Sequence, residues 1–407
     1  MAQLNFTLDT EILKGLFTLE GRDRAMAKVM EAVLNQVLDA QLTEQIGADP
    51  YERTDERCAY RNGHRMRQMK TRVGTLELLI PRLRNGQFST DLFHRYQRSE
   101  QALVLAMMEM VINGVSTRKV ENITEELCGT SFSKSTVSKL CESLDPIVED
   151  FRNRPLEKHY PFVIVDAIYV KVRENKRVRS KGLLIAIGVN HEGYREVIGF
   201  AAADSESETS WNNFFQSLKE RRLTNVDIVV SDAHKGLMKA IKRQFQGAAW
   251  QRCQTHFSRN ILDNCPKSIQ PEIKERLRLL YDAANETIAR EQLSTMFEDY
   301  NDKASKAMKI LEEGFDDIIS VLNLPLKYRK RLRTSNSIER LNQEIRRRER
   351  VIRIFPNEAS LIRLIGALLM EHDEKWSSGR KYLEMDQYFQ SLKEKPHHKN
   401  DKNADVA

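Results

Sequence analysis

Two aspartates stand in apolar segments of the chain, where an acidic side chain is unexpected. Asp166 lies inside the run Phe162–Val170, and Asp232 ends the run Val226–Asp232. A carboxylate in such surroundings is costly unless it is paired, hydrogen-bonded or bound to a metal ion. Mg²⁺, with Mn²⁺ as the alternative, prefers oxygen ligands such as carboxylates and phosphates. Two such ions about 4 Å apart can activate an attacking oxygen and stabilise a leaving one in an in-line phosphodiester displacement.

A third carboxylate on a later helix would complete such a site, and spacing alone leaves its identity open. Glu339 lies on the polar margin of a predicted helix, beside the apolar stripe, but Glu344 and Glu349 compete with it. Glu339 also has the spacing of a capping box, in which its side chain would only bond the backbone. Asp232 has a similar alternative, because it could cap the helix that begins near His234.

The elements around these acids predict an α/β domain. The predicted order is three strands, a helix and a fourth strand, over 162–170, 183–189, 196–200, 209–222 and 226–232. Short connections between the first three strands favour an antiparallel meander. The order is of the ribonuclease H kind, in which the first and fourth strands lie side by side, so Asp166 and Asp232 would converge. Residues 249–253 are a candidate fifth strand, and 257–330 are predicted to be helical.

Cys253 and His256 form a Cys-x-x-His pair, which is half of a structural zinc site. Cys265 and His234 could be recruited to it, but the sequence has no second pair of this kind. A positioning role near the active site, or plain structural use, is therefore the preferred interpretation.

Positive charge is concentrated in two segments, although the formal net charge is only +7. Residues 53–98 contain eleven Lys/Arg and four Asp/Glu, and residues 327–353 contain eleven and three. Phosphate neutralisation releases counterions, so such segments favour a DNA partner, with a solvated surface as the alternative. The candidate DNA contacts here are Arg61, Arg65, Arg67, Lys70, Arg82, Arg84, Arg346, Arg347 and Arg348.

A helix-turn-helix candidate follows the first basic segment. One helix would span about Ser116–Cys128, Gly129 would form the turn, and a second helix would begin near Ser133 or Ser135. Ser135 and Lys139 would then face outward, as a recognition helix in the major groove requires. Helix pairs joined through glycine also occur in proteins that never contact DNA. The predicted inward residues are Val120, Ile123, Leu127, Val137, Leu140 and Cys141.

Composition narrows the class of protein further. No stretch reaches the roughly 18 apolar residues that a membrane helix needs, and the first residues lack the features of a signal peptide. Five cysteines scattered over 407 residues argue against a disulfide framework. We therefore expect a cytoplasmic protein without membrane contact.

Four ordered blocks of this sequence resemble the mutator-type bacterial insertion-sequence transposases. The blocks are Val165–Arg173 (VDAIYVKVR), Val230–Leu237 (VSDAHKGL), Arg252–His256 (RCQTH) and Thr334–Asn342 (TSNSIERLN). The early segments Tyr60–Arg65 and Pro81–Arg84 look like the basic N-terminal element of that family. The similarity runs over roughly residues 20–385.

The resemblance implies that Asp166, Asp232 and Glu339 are the three metal-binding acids of a DDE transposase. It also implies that 257–330 is an all-α insertion in a ribonuclease-H-like α/β core, after a mainly helical DNA-binding region with a small basic β element. The predicted segments are 1–50 (helical), 51–100 (basic, β-containing), 101–150 (helix-turn-helix), 157–256 (core, first part), 257–330 (insertion), 331–390 (final core helices) and 391–407 (disordered tail).

The expected activity is cleavage of double-stranded DNA at terminal inverted repeats and joining to target DNA by a homodimer associated with the bacterial nucleoid. Two other readings stay open: a DNA-binding nuclease or resolvase that cuts without joining, and a DNA-binding regulator without catalysis. The intact acids count against the regulator, and the insertion that splits the core counts against the nuclease.

Overall fold

The structure, a computed structural model, describes residues 8, 10–17, 22–84, 86–90, 92 and 99–394. The chain divides into two compact units, Met1–Ser143 and Leu144–Ala407. This division falls inside the segment 101–150, because the helix at 145–153 packs within the second unit.

Of the predicted disordered tail, 391–394 are helical and 395–407 lie outside the described residues. No helix in the described part of the chain combines the length and the apolar character needed to cross a bilayer.

The first unit combines helices with one antiparallel hairpin. Its elements are α1 (Thr10–Gly15), α2 (Arg22–Ile46), β1 (Arg61–Thr71), β2 (Gly74–Leu83), α3 (Gln101–Ile112), α4 (Thr117–Cys128) and α5 (Lys134–Cys141). Side chains alternate between the faces of a strand, so Leu76, Leu78 and Ile80 of β2 share one face and pack on Leu38 of α2. The basic hairpin is thereby fixed to the longest helix of the unit.

Helices α4 and α5 are the two helices of the helix-turn-helix candidate, and both are present. The Ser116 side chain caps α4, Gly129 ends it with φ of 59°, and the Ser133 side chain caps α5. Val120, Val137 and Cys141 are buried as predicted, and Ile123 and Leu140 are half-buried.

The prediction that Leu127 faces inward is wrong. Leu127 is 72% exposed, although it keeps the helical phase of the buried residues. Thr124 is buried instead and takes its place on the inner face.

The second unit is built around a five-stranded sheet. Its strands are β3 (Phe162–Glu174), β4 (Arg177–Val189), β5 (Arg195–Ala203), β6 (Ile228–Ser231) and β7 (Ala249–Arg252). Their order is β5-β4-β3-β6-β7, with β3, β4 and β5 antiparallel and β6 parallel to both β3 and β7. The predicted meander and the adjacency of the first and fourth strands are confirmed. The assignment to the ribonuclease-H-like class stays a prediction.

Ten helices of the described residues accompany this sheet. They are α6 (Asp145–Asn153), α7 (Glu208–Glu220), α8 (Lys235–Gln244), α9 (Gln254–Asp263), α10 (Gln270–Tyr281), α11 (Glu286–Ile318), α12 (Leu326–Leu332), α13 (Asn336–Ile352), α14 (Glu358–Ser377) and α15 (Asp386–Glu394). One face of the sheet packs on α7 and α8 through Trp211, Phe215 and Leu237. Helices α9, α10 and α11 share a separate apolar core.

Helix α13 positions residues next to β3. Its buried stripe is Ile338, Leu341 and Ile345, each at most 1% exposed, as the sequence predicted. The connection after α13 pairs with β3, because Phe355 N–H donates to Lys171 O at 2.8 Å. Both features hold α13 along β3.

Candidate active site

Asp166 occupies the middle of β3, and both of its carboxylate oxygens accept hydrogen bonds. The Ala167 N–H donates to Oδ1 at 2.9 Å, and Asn342 Nδ2 on α13 donates to Oδ2 at 2.7 Å. Burial, and then the charge of Asp232, raises the pKa of Asp166 to about 7. The acid is therefore oriented by two elements and lies close enough to Asp232 to interact with it.

Asp232 follows β6, the parallel neighbour of β3. Its Oδ1 accepts a hydrogen bond from the His234 N–H at 3.3 Å. The cap of α8 is His234 itself, so Asp232 is not the helix cap that the sequence left as an alternative. The strand order thus brings the two aspartates to one place on the sheet.

Glu339 lies in the first turn of α13, and its Oε1 accepts a hydrogen bond from Ser335 Oγ at 3.1 Å. The side chain bonds a hydroxyl rather than a backbone N–H, so it does not form a capping box. The competing acids of α13 face arginines: Glu344 pairs with Arg348, and Glu349 pairs with Arg346 at 2.6 Å. The charge of Glu339, together with that of Asp166, instead acts on the pKa of His256.

Cys253 and His256 lie beside Glu339. One ligand atom of each of these three residues lies within 4.8 Å of the other two. A hydrogen bond with Cys253 is the main cause that raises the pKa of His256 to about 9, with further contributions from the charges of Glu339 and Asp166. Burial would raise the pKa of Cys253, but hydrogen bonds with His256 and Ser335 outweigh it and lower that pKa. The pair therefore connects β7 to the start of α13.

A fourth carboxylate, Glu206, was missed by the sequence analysis. It precedes α7, its side chain is 10% exposed, and its Oε1 lies 3.5 Å from His234 Nδ1. Trp211 Nε1 donates to the same oxygen at 3.3 Å. Burial and the charge of Asp232 raise the pKa of Glu206, opposed by His234. The local sequence offers no signal for it, because Asp204 and Glu208 stand equally close to the start of the helix.

Asp166, Asp232, Glu206 and Glu339 together are called the acid cluster. Their oxygen atoms suit a hard divalent cation. Asp166 and Asp232 are both half-buried, and two carboxylates at one place are unfavourable unless one is protonated or a cation compensates them, as the raised pKa of Asp166 indicates. Asn342 Oδ1 is buried without a hydrogen-bond partner among the described residues, and it adds a third oxygen donor beside Asp166.

The proposed additional zinc ligands are used elsewhere. His234 lies against Glu206, and Cys265 packs in the helical core of α9 to α11. Cys253, His256 and Glu339 remain as a set of three donors.

The DNA-contact candidates of the first unit fall into two groups. Arg61 donates to Ala48 O at 3.0 Å and to Thr43 Oγ1 at 2.8 Å, and Lys70 donates to Ser131 O, so both stabilise the fold. Of the others, Arg65, Arg82, Arg84, Ser135 and Lys139 are exposed, and Arg65 and Arg82 line an open cavity of about 450 Å³ together with the half-buried Arg67.

The three consecutive arginines of α13 have different surroundings. Arg346 donates to Tyr169 O at 2.6 Å, and Arg347 pairs with Glu344 at 3.1 Å and stays exposed. Arg348 is 3% exposed and bound to Glu344. The predicted DNA contact is corrected for Arg348, because its guanidinium is enclosed by the fold.

Comparison with known proteins places this chain among transposases. Residues 1–379 match the family described as Transposase, Mutator family. The transposase for insertion sequence element IS256 in transposon Tn4001 of Staphylococcus aureus is 47% identical over 390 residues, covering 95% of this chain and all of the relative. The ISRM5 transposase of Rhizobium meliloti is 43% identical, covering 89% and 91% of the two chains. The IS1081 transposase of Mycobacterium tuberculosis is 38% identical, covering 92% and 91%.

Proposed function

Because the chain belongs to the Mutator family of transposases, we propose that Asp166, Asp232 and Glu339 hold two divalent cations, Mg²⁺ or Mn²⁺, at which DNA strands are cut and joined. The observation that carries the proposal is the contact of α13 with β3, the strand that holds Asp166. Asn342 of α13 binds Asp166 directly, and Glu339 stands one turn earlier on the same helix.

The side chains around the acids have separable tasks. When bound, the ions would activate the attacking oxygen and stabilise the leaving one. Ala167 and Asn342 hold both oxygens of Asp166 in position. Ser335 donates to Glu339 Oε1 at 3.1 Å, and Cys253 and His256 lie beside this acid, so these residues orient the third carboxylate.

We assign different roles to the two units of the chain. The sheet of the second unit is a ribonuclease-H-like core, and α9 to α11 are an insertion within it. The first unit binds terminal inverted repeats through the hairpin and the helix pair α4–α5, the latter placing Ser135 and Lys139 in the major groove. Two ends must be held together for joining, so a homodimer is the smallest suitable assembly.

A strand-transfer assay tests this function. Full-length protein is incubated with Mg²⁺, a labelled duplex from the DNA flanking its gene, and a target plasmid. We expect cleavage and joining by the wild type, and neither by Asp166→Asn, Asp232→Asn or Glu339→Gln, because an amide is a poorer metal ligand of the same shape. The matched control Glu208→Gln, an exposed acid on α7, should stay active.

The outcomes separate the three functions. Cleavage without joining would identify a nuclease or resolvase, and DNA binding without cleavage would identify a regulator. Normal cleavage by Glu339→Gln would remove Glu339 from the metal ligands and make Glu206 the next acid to test.

A further inference from the structure

A cluster of arginines and aromatic rings lies beside the start of α13, and the proposed function does not use it. The Arg195 guanidinium is 4.5 Å from the ring centroids of both Trp376 and Tyr382. The Arg331 guanidinium lies 5.0 Å from the Tyr382 ring centroid. Arg340 of α13 lies within electrostatic range of this group, since its charge lowers the pKa of both Arg195 and Tyr382.

Among the described residues, no acid forms an ion pair with an arginine of this cluster. Burial, and then the like charges of Arg331 and Arg340, lower the pKa of Arg195 against the opposing effect of Tyr382, and no carboxylate is among these neighbours. In the part of the chain that the structure describes, neither Arg331 nor Arg340 forms an ion pair. Both side chains are exposed. Three arginines so close together repel one another until an anion approaches.

The fold fixes the position of Tyr382, the ring that Arg195 and Arg331 both contact. The Tyr382 N–H donates to Gly193 O at 2.8 Å, and the Tyr382 hydroxyl donates to Arg331 O at 3.0 Å. Gly193 has φ of 93°, and a Cβ there would approach Leu383 O to 1.8 Å, so only glycine allows this contact. Guanidinium groups fixed in advance lose little side-chain entropy when they bind a ligand.

We propose that Arg195, Arg331 and Arg340 form a second contact for the DNA backbone, beside the phosphate that the acid cluster cuts. This inference rests on the proposed function. Arginine pairs with phosphate oxygens through two parallel hydrogen bonds, and several arginines in one place suit the successive phosphates of a duplex. Arg340 directly follows Glu339 and points about 100° away around the helix. DNA with its scissile phosphate at Glu339 therefore passes within reach of Arg340.

Arg340 allows a test that separates DNA binding from stability. Arg195 and Arg331 contact aromatic rings and so contribute to the fold, whereas Arg340 is exposed and has no ring contact among the described residues. Its replacement by glutamine removes charge without removing packing. The matched control is Arg278→Gln, which removes one exposed arginine, 84% exposed in its side chain, from α10.

The experiment measures binding of full-length protein carrying Asp166→Asn, which leaves the labelled duplex uncut, by fluorescence anisotropy over a range of salt concentrations. The duplex contains one end of the insertion sequence together with the DNA that flanks it. We expect Arg340→Gln to weaken binding about tenfold and to reduce the slope of log Kd against log salt by about one. Arg340→Lys should restore most of the slope, and Arg278→Gln should change neither quantity.

Two results would overturn the inference, and only one of them would also overturn the proposed function. Equal Kd and equal salt slope for Arg340→Gln and Arg278→Gln would remove this contact while leaving the proposed function intact. Failure of the parent protein to bind any duplex would overturn the proposed function and this inference together.

Discussion

Asn342 connects α13 to the acid cluster through a single side chain. Its Nδ2 donates to Asp166 Oδ2 at 2.7 Å, and its Oδ1 is buried without a partner among the described residues. An amide in this position fixes the rotation of the carboxylate and offers an oxygen to a bound cation. Residues that orient metal ligands in this way commonly change activity strongly when they are replaced.

We predict that Asn342→Ala reduces the cleavage rate about tenfold to a hundredfold, because Asp166 loses the bond that orients it. The Mg²⁺ concentration for half-maximal cleavage should rise as well. Gln343→Ala is the control, since Gln343 is the exposed neighbour on α13. Titration of Mg²⁺ in a cleavage assay measures both quantities, and equal curves for the two variants would show that Asn342 has no part in metal binding.

The four acids of the site differ in whether the sequence alone identifies them. Asp166 and Asp232 were found because an acid inside or at the end of an apolar strand is energetically anomalous. Glu206 stands in a polar connection, where an acid is ordinary, and only the packing of Trp211 and His234 brings it to the cluster. Glu339 needed the family resemblance, because helical spacing alone did not separate it from Glu344.

At the scale of elements, β3, β4 and β5 are joined near their ends by a buried polar network around Glu196. Its carboxylate accepts hydrogen bonds from Tyr160 at 2.7 Å, from Lys158 at 2.9 Å and from Asn190 at 2.7 Å. Burial alone would raise the pKa of Glu196, but these three donors outweigh it and lower the pKa. The network therefore stabilises the sheet only while Glu196 is ionised.

We predict that Glu196→Gln lowers the free energy of unfolding at pH 7 by about 1–3 kcal/mol. The folded pKa is below the usual value of 4.5, so the contribution is present above that value and is lost as the pH falls through the folded pKa. The difference between wild type and variant should thus shrink below about pH 4. Urea unfolding at several pH values measures it. Glu192→Gln, which removes an acid 49% exposed in its side chain, should have little effect, and an unchanged difference at low pH would contradict the argument.

The sequence predicted the strands and helices better than it predicted the burial of single side chains on them. Hydrophobic periodicity gave the strands of the sheet and the buried stripe of α13, since both depend on a regular repeat. It failed for Leu127, which keeps the helical phase but is 72% exposed. The clustering of charge, in turn, did not show that Arg348 is the arginine of its run that is buried and paired with Glu344. Whether a side chain is covered depends on contacts with other elements, and such contacts have no periodic signature in the sequence.

For the whole molecule, the division at Ser143 suggests separate tasks for the two units. The first unit has its own apolar clusters, one between α2 and the hairpin and one among α3, α4 and α5. It also carries an open cavity lined by Arg65, Arg67 and Arg82. The acid cluster belongs wholly to the second unit. A unit with its own core and an arginine-lined surface is a suitable module for finding DNA.

We predict that the fragment Met1–Ser143 folds alone and prefers terminal-repeat DNA over random duplex. Its binding should weaken steeply with salt, because phosphate contacts release counterions. Replacing Arg65 and Arg82 by glutamine should reduce the salt slope by about two, whereas the same change at Arg24 and Lys28, two exposed positions of α2, should leave the slope nearly constant. Circular dichroism establishes folding, and anisotropy with the two duplexes measures preference and slope. A folded fragment that binds both duplexes equally would assign the recognition of ends to the second unit or to the dimer.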